Sequence, residues 1–282
     1  MTASPAANGH TVAHAIRAAA ARLADASDTA RLDAELLMAH VLGVSRSELL
    51  VRCMENDAPP EFEALVARRA DCEPIAYIIG CAGFYSREFA VTPDVLIPRA
   101  DSEVLIDVAL EHRSQACDIL DLGTGSGALL LSVLAEIPSA RGVGIDASAG
   151  AAAVARDNAK RLGLSERARI ERRDWNQPGW MRGLGPYDLV LCNPPYVESS
   201  AALDRDVREH EPASALFAGV DGLDDYRVVI PQLRGLLREG GIAIFEIGSS
   251  QADAVGKIAR NARFRTEIRH DLANRPRCIV LR

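Results

Sequence analysis

Apolar positions change their period along the chain. From Thr11 to Arg69 they recur at helical spacing: Val12, Ile16, Ala19, Ala20 and Leu23 share one face, as do Leu32, Leu36, Leu37, Val41 and Leu42, then Phe62, Leu65 and Val66. Breaks at 26–29, 43–47 and 59–60 separate these segments, so residues 1–83 are expected to form a small all-helical domain. In residues 84–98, Phe84, Tyr85, Phe89, Val91, Val95, Leu96 and Ile97 are interrupted by Pro93 and Pro98. That pattern predicts a β-hairpin bridging two domains. The run DSEVLIDVALEHR (101–113) then predicts a helix opened by an Asp101 or Ser102 N-cap.

Beyond it, strand and helix patterns alternate. Strands are expected at 119–122, 142–146, 168–171, 188–192, 242–247, 264–268 and 278–281, and helices at 126–136, 148–162, 224–239 and 250–261. Apolar runs alternating with amphipathic helices imply a parallel sheet covered on both faces. The expected fold of residues 99–282 is therefore α/β: a doubly wound, mostly parallel seven-stranded sheet. No helix separates the last two strands, so these should pair antiparallel at an edge.

Composition narrows the function. A chain of 282 residues suits two domains, and 48% hydrophobic with 25% charged residues is ordinary for a globular protein. No apolar run approaches the ~18 residues of a membrane span. Met1 to Gly9 has no basic region leading into an apolar stretch, so a cytoplasmic location without a secretory signal is expected. The six cysteines contain no CxxC pair; they read as reduced thiols, mostly buried, with no metal site. A net charge of −7 is a poor counterpart for a phosphate backbone, so no direct nucleic-acid contact is expected. Arg167, Arg169, Arg172 and Arg173 flank a short strand and read as a solvated face.

Two segments carry candidate chemistry. The strand at 119–122 runs into Gly123-Thr124-Gly125-Ser126-Gly127-Ala128, and then an apolar helix begins. Glycines there let the backbone approach a ligand, and the helix start offers free N–H groups. The loop also fits GxGxxA, so on its own it admits a dinucleotide. Asp146, ending the next strand, is placed to accept hydrogen bonds from ribose hydroxyls; its bland alternative is a helix cap. After the third strand, Asp174 can receive an adenine amino group and Trp175 can stack on the ring, or the two can form an ordinary turn with a core indole.

The strand ending at Cys192 leads into Asn193-Pro194-Pro195-Tyr196. The prolines fix the backbone and remove two N–H donors. A planar amide or amino nitrogen can give one N–H to the Asn193 side-chain oxygen and the other to the Pro194 carbonyl, which aims its lone pair at an electrophile. Tyr196 can lie against the flat face of the substrate group. Such an arrangement suits attack on a methyl sulfonium, with the proton lost afterwards to water. Candidate catalytic residues are thus Asn193, Pro194 and Tyr196.

With these motifs the chain resembles the glutamine N5-methyltransferases of peptide chain release factors, the HemK/PrmC family. The likeness runs from Glu73 to Arg282 through EPIAYIIG (73–80), FYSREFAVTPDVLIPRADSEVLID (84–107), ILDLGTGSGALLL (119–131), NPPYV (193–197), EPASALFAGVDGLDDYRVVIPQ (211–232) and FEIG (245–248). The family's PRPDTE is here PRADSE (98–103). The resemblance implies a Rossmann-like class I methyltransferase that uses S-adenosyl-L-methionine. Its contacts carry over to Gly123, Thr124, Gly125, Ser126, Gly127, Asp146, Trp175 and Asn193, and the residues holding glutamine to Asn193, Pro194, Pro195 and Tyr196. It implies a release factor as the protein substrate. The alternatives are a glutamine of a large-subunit ribosomal protein, an exocyclic amine of nucleic acid, and a non-catalytic or oxidoreductase module using the glycine loop alone. A basic target-recognition region would favour nucleic acid, and none is evident.

Overall fold

A computed structural model describes residues 11–112 and 117–282. The readings of Met1 to Gly9 and of residue 113 as a helix end lie outside the described residues. The chain divides into two units, one of residues up to Gly80 with Asp204–His210, the other of Cys81–Leu203 with Glu211–Arg282.

The first unit is helical: α1 (Val12–Leu23), α2 (Ala30–Leu42), α3 (Arg46–Glu48) running into a π-helical turn at Leu49–Cys53, α4 (Glu61–Ala70) and α5 (Ile75–Ile79). Thr11 caps α1, its hydroxyl accepting the His14 N–H, and Gly43 ends α2 in the left-handed region that a side chain disfavours. Val12, Ile16 and Leu23 pack with Leu37, Met38, Phe62 and Val66 into one apolar cluster. Beside it, Arg69 donates to Asp33 at 2.7 Å, both side chains buried, so neither charge is left unpaired.

The second unit opens with an antiparallel hairpin of β1 (Cys81–Phe84) and β2 (Arg87–Ala90). It lies nearer the N-terminus than the 84–98 assignment, because Val91 to Pro98 forms an extended loop in which Pro93 and Pro98 have no N–H for a ladder. A 3₁₀ turn (Ala100–Ser102) leads into α6 (Glu103–His112). The sheet strands are β3 (Asp118–Leu122), β4 (Arg141–Asp146), β5 (Ala168–Arg172), β6 (Tyr187–Cys192), β7 (Leu237–Glu246), β8 (Thr266–His270) and β9 (Pro276–Leu281), in the order β5-β4-β3-β6-β7-β9-β8. The first five are mutually parallel, and β9 is antiparallel to both its neighbours.

Alternate strand residues feed two apolar layers. Ile119, Leu189, Leu191, Ile242 and Ile244 pack with α6, α7 (Ala128–Glu136) and α8 (Ala149–Arg161); Leu120, Leu122, Val190, Cys192, Ala243 and Phe245 pack with α10 (Asp224–Val229) and α11 (Ala252–Asn261). Burial on both faces is why these strands read as continuous apolar runs. The helix expected at 224–239 stops sooner: α10 passes into a 3₁₀ segment (Ile230–Gly235) that holds Pro231, and β7 has begun by Leu237. A short helix, α9 (Arg205–His210), is an addition to the expected elements and groups with the helical unit, where Arg205 approaches the Cys72 sulfur at 3.6 Å. Among the described residues no helix is long and apolar enough to cross a membrane. The cysteines are free thiols, four of them buried.

Candidate active site

Strand order reverses around β3, which has β4 on one side and β6 on the other, so the carboxyl ends of these strands border a crevice. There a cavity of about 280 Å³ is lined by Gly123 to Ser126, Asp146, Asp174, Trp175, Asn193 and Pro195, with walls from the 94–99 and 212–215 loops. Sequence-distant candidates therefore meet at one place.

The glycine loop is shaped by backbone demands. Gly123, Gly125 and Gly127 have φ of +70°, +55° and +84°, where a side chain is strained. A Cβ on Gly123 would come within 3.1 Å of the Trp175 ring and 3.9 Å of the Asn193 carbonyl oxygen, so this glycine lets the indole and the Asn-Pro-Pro-Tyr turn close on the loop. Asp146 braces the loop. Its Oδ2 accepts the Gly125 N–H at 2.9 Å, its Oδ1 accepts the Ser148 N–H at 2.8 Å, and Ser148 in turn caps α8. Burial raises the Asp146 pKa against those two N–H bonds. Its carboxylate thus serves the local turn and still faces the cavity.

Trp175 Nε1 donates to Asp225 at 2.8 Å, which fixes the indole plane from the side opposite Gly123. Asp174 accepts the Asn176 N–H at 2.8 Å, forming the turn of its bland reading, and also lines the cavity. Under the loop, Asp121 is buried, with Oδ2 accepting the Thr124 hydroxyl at 2.6 Å and Oδ1 unpartnered. Desolvation, reinforced by the charge of Asp146, pushes its carboxyl up to about 7.

The Asn-Pro-Pro-Tyr turn divides. Asn193 and Pro195 line the cavity, whereas Pro194 is buried and the Tyr196 hydroxyl points to Glu246, donating to Oε1 at 3.1 Å. Asn193 Nδ2 donates to the Ser102 hydroxyl at 3.5 Å. Burial raises the pKa of the Glu246 carboxyl. Ser102, expected as a helix cap, is a wall of the site. Ser102 and Glu246 escaped the motif reading, and so did Glu211. The buried Glu211 carboxylate accepts from Arg99 and, at 3.3 Å, from the Ile97 N–H, tying the 94–99 loop to the 212–215 loop. The quoted stretches containing PRADSE, EPASAL and FEIG held all three, but nothing in their spacing tells that they converge.

Of the four arginines read as a solvated face, Arg169 and Arg172 are exposed as expected, whereas Arg167 and Arg173 are engaged within the fold. Arg167 donates to the carbonyls of Leu134, Ile137 and Ala140, and Arg173 to those of Trp180 and Arg182. Two family profiles match: "PrmC N-terminal domain" over residues 14–80 and "Methyltransferase small domain" over 100–210. Curated proteins named "Release factor glutamine methyltransferase" include one from Caulobacter vibrioides, 40% identical over 96% of this chain and 96% of its own, and one from Moorella thermoacetica, 41% identical over 96% and 98%. A methyltransferase structure from Pyrococcus furiosus superposes with TM-score 0.52 at 13% identity, covering 71% of this chain and 90% of that one, a likeness of fold.

Proposed function

This chain belongs to the release factor glutamine methyltransferase family, and from that premise we propose that it methylates the side-chain amide nitrogen (N5) of the glutamine in the Gly-Gly-Gln motif of peptide chain release factors, with S-adenosyl-L-methionine as donor, in the cytoplasm, in support of translation termination. The observation that carries the reading is the single cavity in which the glycine loop and Asp146 stand beside Asn193 and Pro195. The residues present suit the donor. Glycine backbone leaves room for close approach, Asp146 offers carboxylate oxygens to ribose hydroxyls, and Asp174 and Trp175 border the same space.

The donor supplies a methyl group on a sulfonium, an electrophile that needs no acid. The chain's task is to make a poor nucleophile attack. An amide lone pair is delocalised into its carbonyl, so Asn193 Oδ1 and the Pro194 carbonyl each accept one of its N–H groups and aim the nitrogen. Positive charge that develops on that nitrogen is stabilised by the same two acceptors, and the proton leaves to water. Residues before about 80 recognise the rest of the factor, supplying binding energy remote from the reacting atom. The test offers purified release factor, its Gln→Ala variant in the tripeptide, ribosomal proteins and DNA with labelled donor. Label on the intact factor alone, located by mass spectrometry on the glutamine amide, is the expected result. Label on a ribosomal protein or on adenine refutes the reading.

A further inference from the structure

Trp175 lies in the segment 173–186, which runs between β5 and β6 as turns and extended chain, so no ladder or helix places its side chain. An indole is a rigid plate with two dihedrals, and the outer one, χ2, is broad and roughly two-fold. Two contacts restrain it here. At its benzo edge the ring comes so near the Gly123 backbone that a Cβ there would stand 3.1 Å from Cη2 and 3.4 Å from Cζ3. At its pyrrole edge, Nε1 donates to Asp225 Oδ1 at 2.8 Å. Turning the ring over about χ2 would carry Nε1 away from this carboxylate, so the hydrogen bond selects one setting. Asp225 itself is held. It stands on α10 beside Tyr226, which is fully buried and donates its hydroxyl to the Glu246 main-chain oxygen at 2.7 Å. The indole is thereby tied through α10 to the end of β7.

We propose that Asp225 is a positioning residue for the methyl donor, holding the Trp175 indole as an ordered wall of the cavity against which the donor's base stacks. The inference rests on the donor reading given above. Both residues line the cavity and both are half-buried, so a ligand can reach the face of the ring while its N–H stays engaged at the edge. An acid in the first turn of a helix is ordinary, since the N-terminal dipole favours it. Asp224 is such an acid, and its carboxylate accepts from Arg227 on the same helix at 3.1 Å. Asp225 instead reaches across 50 residues of chain to the one indole that borders the cavity. A side chain that must be ordered as a ligand arrives lowers affinity, and one ordered beforehand does not. Without the acceptor at 225 the indole N–H is left unpaired and the ring can turn over, so binding has to order it again.

The experiment uses the full chain and two readouts: calorimetry with S-adenosylmethionine, and the indole N–H resonances of donor-free protein carrying isotope-labelled tryptophan. The chain has two tryptophans, Trp175 and Trp180, so Trp180→Phe assigns the pair of signals. Asp225→Ala should move the Trp175 resonance and speed its exchange with solvent, leave that of Trp180 in place, and weaken donor binding roughly 3- to 10-fold, with KM for donor rising in step. Asp225→Asn keeps an acceptor oxygen and should recover most of the affinity. Trp175→Phe keeps a stacking face without an N–H, so it should match Asp225→Ala, and the double variant should bind no more weakly than either. Parental affinity in Asp225→Ala, or an unmoved Trp175 resonance, overturns the proposal. An Asn variant as weak as Ala, or an additive double variant, also overturns it, since either makes the carboxylate act on the donor directly. Should Asp225→Ala fail to fold, a weak Trp175→Phe beside a tight Asp225→Asn supports the proposal, and a parental Phe or a weak Asn refutes it. If Trp175→Ala binds the donor as the parent does, the stacking role itself fails; a weak Trp175→Ala beside a parental Asp225→Ala refutes only the positioning.

Discussion

Asp146→Ala separates the two duties of one carboxylate. Both its oxygens accept backbone N–H groups, from Gly125 at 2.9 Å and Ser148 at 2.8 Å, and the group also borders the cavity. Hydrogen bonds to a charged acceptor contribute about 1.5–3 kcal/mol each, but Asp146 is desolvated and the freed N–H groups regain water, so a net stability loss of about 1–3 kcal/mol is expected. Loss of the ribose acceptor should weaken donor binding by about 1–3 kcal/mol as well, roughly 5- to 150-fold. Calorimetry with S-adenosylmethionine, and with an analogue lacking the ribose hydroxyls, distinguishes a lost contact from a slackened loop. The parent should lose affinity for the analogue; the variant should bind both alike. Asp146→Asn should not rescue, because its NH₂ must face one of the two N–H donors. Donor affinity within twofold of the parent, with only the melting temperature lowered, would mean that Asp146 is a brace for Gly125 and Ser148 and nothing more.

Asn193→Ala should cut turnover by ~100-fold or more while donor affinity stays within about threefold, since it deletes one acceptor of the reacting nitrogen; single-turnover methylation at the parental rate refutes this. Asp121, with its carboxyl pushed up to about 7, gives a signed pH dependence. The unfolded chain releases that proton near pH 4 and the folded one near 7, so this group's contribution falls as pH rises through that window and is flat above it. Asp121→Asn should therefore gain stability relative to the parent from pH 4 to 7, by up to roughly 4 kcal/mol, then plateau; a difference independent of pH in denaturant melts contradicts it. Deleting residues 1–80 should abolish methylation of intact factor while donor binding persists, and should expose Asp204–His210, which groups with them, to proteolysis. A truncated chain that methylates the factor as well as the full chain removes the recognition role.

Most strands were legible because burial on two faces leaves an unbroken apolar run, and Ile119–Leu122 and Leu189–Cys192 are such runs. Helix ends were less so. Pro231 turns the last part of the expected 224–239 helix into 3₁₀ structure, and the polar stretch Arg238 to Gly241 hid the start of β7. The hairpin was displaced because Val91, Val95 and Ile97 are apolar for another reason: they pack as an extended wall, with Val95 and Leu96 on the cavity. The glycine loop, Asp146 and Asn193 were legible since each ends a strand, and strand ends of a doubly wound sheet must converge. Ser102, Glu211 and Glu246 were not. A serine before a helix reads as a cap, and a glutamate inside FEIG reads as a strand residue; what gives them meaning is a partner 91 residues away for Ser102, 112 for Glu211 and 50 for Glu246.

Charge decides between the ligands that the glycine loop alone admits. Four carboxylates, Asp94, Asp146, Asp174 and Asp225, border the cavity, and among the described residues that line it Arg99 is the one cation, itself paired with Glu211. Two more buried acids, Asp121 and Glu246, lie at the ends of β3 and β7. A dinucleotide would bring a pyrophosphate to the glycine loop, two negative charges facing Asp146, and at an effective dielectric near 20 each like-charge pair within about 4 Å costs roughly 4 kcal/mol. A nucleic-acid strand would bring phosphates to the same rim. A sulfonium has the opposite sign, so the field that repels those ligands attracts this one. In the proposed reaction it would also favour positive charge developing on the amide nitrogen, which Asn193 and the Pro194 carbonyl would meet with neutral dipoles and hence at a smaller desolvation cost than a carboxylate would incur. Acids set back from the reacting atoms and neutral acceptors beside them form a division of labour that GxGxxA alone leaves undefined.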